Sequence, residues 1–164
     1  LAGTMVSMIP FFTIVFTPLF GAMVDRVGHA TRWMIAGSFA VLAGHLIIAF
    51  APMDVKAFGF IGIALLGLGY SLVPSAMWPS VPKIVPEKNL GTAYSLIYWI
   101  QNVGLFFVPK AVGRIFAAGY EPLAAVGRVE WIFITLGIIA VAIAILLRRS
   151  SSLHPELHLD TKNN

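Results

Sequence analysis

Tyr94, Tyr98, Gln101 and Asn102 carry hydrogen-bonding groups within an otherwise apolar stretch. At 100° per helical residue they share an arc of about 100°. A glutamine–asparagine pair in hydrocarbon is costly unless it meets water, solute or a polar neighbour. The pattern suits the lining of a solute cavity, and it also suits interhelical hydrogen bonds worth about 0.6 to 2 kcal/mol each. Ser71 and Ser75 fall in line with Gly67 and Trp78 as a second polar row, which fits helix packing and cavity lining equally. His45 is the one side chain in the body of an apolar run whose type can change charge near neutral pH. A histidine there is a hydrogen-bonded scaffold residue or a proton carrier.

Other chemistry is missing from the residue inventory. With no cysteine, thiol catalysis and thiolate metal sites are excluded. The apolar runs hold no carboxylate pair, no Ser–His arrangement of catalytic spacing and no histidine-rich metal set, and the loops hold no phosphate-cradling motif. Neither an enzyme nor a metal or cofactor site is expected.

Positioning the polar residues falls to membrane helices. Of 164 residues, 59% are hydrophobic and 11% charged, and the mean hydropathy is +0.88. A soluble domain carries roughly 25% charged residues, so a water-facing surface cannot be built from this chain. Uncharged runs cover 1–24, 33–53, 57–82, 89–109 and 131–147, and about 20 apolar residues suffice to cross a bilayer. The expected architecture is an all-α polytopic bundle of five spans, at approximately 3–24, 33–52, 57–82, 89–117 and 130–148. No uncharged run contains Asp or Glu, so the spans are expected to lack embedded carboxylates and any coupling proton to rest on His45 or on residues upstream. The last run is flanked by Trp131 and Arg148-Arg149, which read as interface anchors, and Lys110 is expected to snorkel at the surface. With little polar content beyond Thr135, the last span is expected to face lipid. Ala36, Ala40 and Gly44 form a small-residue row suited to close packing of the second span.

Short connections make successive spans antiparallel. Arg26, Arg32, Lys83, Lys88, Arg148, Arg149 and Lys162 then fall on one side, and Lys56, Lys110, Arg114 and Arg128 on the other. The positive-inside rule assigns the first set and the tail to the cytoplasm and Leu1 to the outside. The net charge of +4 thus reports orientation in a lipid bilayer, and no nucleic-acid partner is expected. Residues 150–164, rich in serine and mixed in charge, are expected to form a solvated, disordered tail. The chain opens inside an apolar run without an initiator methionine, and reads as a piece of a longer protein with helices upstream.

Between the first two runs stands Gly21-Ala-Met-Val-Asp25-Arg26-Val-Gly28-His-Ala-Thr-Arg32. This resembles the G-x-x-x-D-R-x-G-R-K/R signature of the major facilitator superfamily, with His29-Ala30 in place of two basic residues. The resemblance implies helices eight to twelve of a twelve-helix transporter, working by alternating access against an N-terminal half that this chain does not include. It assigns Gly21, Asp25, Arg26, Gly28 and Arg32 to a cytoplasmic gate. Further stretches, Gly67-Leu-Gly-Tyr70-Ser71-Leu, Pro86-Glu87 with Leu90-Gly-Thr-Ala-Tyr94, and Ile100-Gln-Asn-Val-Gly-Leu105, together with His45, are similar to the lysosomal dipeptide uniporter subfamily and its bacterial relatives. A dipeptide or another small organic solute is the implied substrate; the host membrane stays open between bacterial and lysosomal or plasma membranes. From the residues alone, a non-transporting membrane scaffold or receptor-like subunit is the alternative.

Overall fold

A computed structural model describes residues 2–52 and 55–161, with side chains from residue 7 onward. The expectations for Leu1, Met53 and Lys162 lie outside the described residues. The described residues form helices joined by short turns: α1 (Ala2–Val27), α2 (Ala30–Phe50), α3 (Lys56–Met77), a 3-10 turn (Trp78–Ser80), the single turn α4 (Val81–Ile84), a second 3-10 turn (Glu87–Asn89), α5 (Leu90–Ala117), α6 (Pro122–Leu153) and a last 3-10 turn (Pro155–Leu157). Among the described residues, four stretches, Ser7–Val27, Ala30–Phe50, Lys56–Ile84 and Pro122–Leu153, are long and apolar enough to cross a membrane. The fifth long helix, α5, carries the polar residues noted above.

Glycines set the packing. A Cβ built on Gly44 would lie 2.8 Å from the Gly62 carbonyl oxygen, and one built on Gly69 would lie 2.7 Å from that of Gly37. The α2–α3 seam is therefore Gly37, Val41 and Gly44 against Gly62, Leu66 and Gly69. Of the expected Ala36, Ala40 and Gly44 row, only Gly44 is in the seam, and Ala36 is exposed. The two rows differ by one helical position, and matching glycines on α3 select the first, since small facing residues let backbones approach. Across the other face of α3, Phe12 of α1 sits over Gly67. Near the motif turn, Val24, Ala30, Met34, Ala76 and Ala144 form a buried cluster drawn from α1, α2, α3 and α6.

Two expectations change at the C-terminal end. First, α6 is not wholly lipid-facing. Ala125, Val129, Ile134, Gly137, Val141 and Ala144 are buried, with Gly137 against Leu42 of α2, while Ile139, Ile143 and Leu146 are exposed. The helix begins at Pro122, so Glu130 is well inside it, and a carboxylate is embedded in the bundle after all. A charge at the edge of an apolar run reads as a boundary, but here a partner lets the helix carry it inward. Second, the tail is folded back as far as it is described. Leu159 is buried, and Asp160 joins the N-terminus of α2 through Thr31. Lys83 Nζ also donates to the Thr161 carbonyl oxygen at 3.0 Å.

Helix α5 contributes no buried residue. Leu96, Trp99, Ile100, Phe106 and Phe107 are exposed along it.

Candidate functional site

A pocket of about 490 Å³ opens between α2, α3, α5 and α6. Its polar lining residues are His45, Tyr70 and Gln101, set among apolar side chains and glycines. His45 Nδ1 lies 2.8 Å from Glu130 Oε2, and both residues are more than nine-tenths buried, at 6% and 8% exposure. The His45 ring stacks on Phe133, with centroids 4.8 Å apart and planes 7° from parallel. That stack, one turn along α6 from Glu130, fixes the imidazole plane. His45 Nε2 is buried without a hydrogen-bond partner.

The polar face of α5 divides. Tyr94 and Tyr98 pack on Trp78, at ring-centroid distances of 5.7 and 5.2 Å, where the chain leaves α3. Asn102 is exposed and donates from Nδ2 to the Tyr98 carbonyl oxygen at 2.8 Å, so its side chain folds onto its own helix. Gln101 turns toward the His45 pocket. Ser71 and Ser75 do not join this group. Ser71 Oγ donates to the Gly67 oxygen at 2.7 Å and to the Phe12 oxygen at 3.3 Å; Ser75 Oγ donates to the Ser71 oxygen at 2.7 Å and the Thr17 oxygen at 3.0 Å. Both hydroxyls face α1, next to Gly67, and bind it to α3.

The motif forms a two-residue turn. Gly28 and His29 have φ of 73° and 58°, the left-handed region that suits glycine and that histidine visits more readily than branched residues. Gly28 N–H closes α1 on the Val24 oxygen at 2.8 Å, and Trp33 Nε1 donates to the Gly28 oxygen at 3.0 Å. Asp25 is half-buried, while Arg26 and Arg32 are exposed. A Cβ on Gly21 would meet nothing within 4 Å, so that surface has room for another helix to come close.

The sequence profile of the Major Facilitator Superfamily matches residues 1–162. The chain belongs to this superfamily. It is 37% identical over 114 residues to the lysosomal dipeptide transporter MFSD1 of Gallus gallus, covering 70% of this chain and 25% of that protein. It is 39% identical over 99 residues to human MFSD1, covering 60% of this chain and 20% of the relative. An uncharacterized MFS-type transporter, YwoD of Bacillus subtilis, is 28% identical over 114 residues, or 69% of this chain and 25% of its own length. The matches span a quarter or less of these relatives. No solved structure matches the chain.

Membership in this superfamily fits an integral, multi-pass membrane protein whose packing rests on glycine and serine. Sequence reasoning missed Glu130 and Asp160. For Glu130, a signal existed in its placement beside Trp131 at the start of an apolar run, with His45 as an available partner. For Asp160 there was none, because its partner Thr31 is 129 positions away.

Proposed function

We propose that the chain is the C-terminal helical part of a solute transporter that works by alternating access, with a dipeptide or another small organic molecule as cargo. Superfamily membership supports the class, and the named relatives suggest the cargo. The observation that carries the reading is α5: a 28-residue helix without a buried residue, with Tyr98, Gln101 and Asn102 exposed on it. Such a face in a membrane helix calls for a water-filled cavity or a polar partner. Tyr94, Tyr98, Gln101 and Asn102 would form one wall of a solute path, and the upstream helices the other. Ser71 and Ser75 would contribute through the α1–α3 joint that supports this wall.

In alternating access two helical halves rock about a midplane site. Asp25 and Arg26 would pair with the opposite half at the cytoplasmic end, where the positive-inside rule puts the motif turn. Gly21 and Gly28 would allow the approach, and Arg32 would supply basic charge in place of the missing motif residues.

Uptake of a radiolabelled dipeptide by the full-length protein in proteoliposomes tests the reading. Tyr98→Ala, Gln101→Ala and Asn102→Ala should each lower uptake about tenfold, the loss of roughly 1.4 kcal/mol of binding. Asp25→Asn should slow exchange several-fold at unchanged membrane abundance. Unaltered kinetics in the three α5 variants would remove α5 from the solute path, and an unaltered Asp25→Asn rate would remove the gate.

A further inference from the structure

The His45–Glu130 pair leaves one polar atom unanswered. His45 Nδ1 faces Glu130 Oε2 at 2.8 Å, whereas Nε2 is buried without a partner in a side chain that lines the four-helix pocket. Turning the ring about its Cβ–Cγ bond would take Nδ1 away from Glu130 Oε2. An unanswered buried group costs about 1 to 3 kcal/mol, and in a pocket wall it marks where a ligand atom fits.

Proton accounting defines that ligand. When Nδ1–H donates to the carboxylate, Nε2 holds a lone pair and the pair as a whole is anionic. One added proton occupies Nε2, makes it a donor and cancels the charge. The site therefore accepts one positive unit, either a proton or a cationic donor. Tyr70 of α3 and Gln101 of α5 line the same pocket, and their oxygens are further acceptors. No Lys, Arg, Asp or Glu is among the lining residues. Among the described residues, the titratable groups that face His45 are Tyr70 from α3 and Glu130 from α6, and α5 adds none there. Arg128 is exposed and sits over the Tyr120 ring at 3.9 Å. A primary ammonium has three N–H donors, equal in number to Nε2, the Tyr70 hydroxyl and the Gln101 carbonyl. A volume of about 490 Å³ falls in the range of small-molecule sites.

We propose that this pocket binds small primary amines with an apolar body, and that a proton on His45 competes with the amine. Binding of this kind is an equilibrium property, independent of whether the protein transports the same molecule.

Calorimetric titration of the full-length protein in lipid nanodiscs, with benzylammonium chloride and with benzyl alcohol as its uncharged counterpart, tests the proposal. At alkaline pH the amine should bind about tenfold or more tighter than the alcohol, since it alone meets the anionic pair. Its affinity should fall toward about tenfold per pH unit on the acid side, as one proton competes with one ligand. His45→Gln should remove the pH dependence, and Glu130→Gln should weaken the amine about tenfold. Should either variant fail to fold, Tyr70→Phe and Gln101→Leu carry the test: each should weaken the amine several-fold and leave the alcohol unaffected. Equal binding of amine and alcohol, no binding of either, a flat pH profile in the unmodified protein, or unchanged amine affinity in the variants overturns the proposal.

Discussion

Two acidic side chains join α2 to the C-terminal part of the chain, one near each end of that helix, and their surroundings differ. Asp160 is saturated. Its Oδ1 accepts from Thr31 N at 3.0 Å and Thr31 Oγ1 at 2.9 Å, its Oδ2 accepts from Ser151 Oγ at 3.2 Å, and its backbone oxygen accepts from His29 N at 2.9 Å. The N-cap of α2, His29, makes no capping bond through its side chain, so Asp160 supplies from a distance the acceptor and negative charge that a helix N-terminus favours. Glu130 meets a partner that keeps an atom in reserve: His45 Nε2 has no answer within the described residues. Saturation suits a structural joint, and an open valence beside a pocket suits a site that binds something.

The largest effect should come from splitting the open pair. His45→Leu strands a buried carboxylate and should cost about 3 kcal/mol or more in thermal unfolding of the purified protein, while His45→Leu with Glu130→Leu should recover most of it, because an apolar pair avoids desolvation. Equal losses in the single and double variants would erase the distinction between the two ends of α2. A smaller effect is expected at the closed joint. Asp160→Ala should cost about 1 to 2 kcal/mol, the usual range for a lost cap, and adding Thr31→Val should cost little more, since both act through the same bonds. Additive losses would mean that Asp160 and Thr31 act separately.

Much of this was legible in the chain itself. The scarcity of charge and the long uncharged runs imply membrane helices, and the Gly21 to Arg32 stretch implies the superfamily. What could not be read locally was which side each residue faces. Rows of small residues at adjacent helical positions look alike until a second helix supplies its own glycines, so Gly37 replaces Ala36 in the α2–α3 seam. A serine pair reads as cavity or joint until the α1 carbonyls stand opposite, as Phe12 and Thr17 do. An embedded acid imitates a helix boundary: counting uncharged residues from Trp131 placed Glu130 at the edge of a span that in fact starts at Pro122. The docked tail depends on one carboxylate finding a helix terminus far away in sequence, which no local composition reveals.

The contrast between an open and a closed acid is tested most directly by nitrogen-15 NMR of the full-length, histidine-labelled protein in lipid bilayers across pH. One imidazole, assigned by its loss in His45→Gln, should keep Nδ1 protonated and hydrogen-bonded throughout while its Nε2 changes from a bare to a protonated nitrogen on acidification. An Nε2 signal that stays constant over the whole range, or an Nδ1 that loses its proton first, would contradict the assignment of an open valence to this pair.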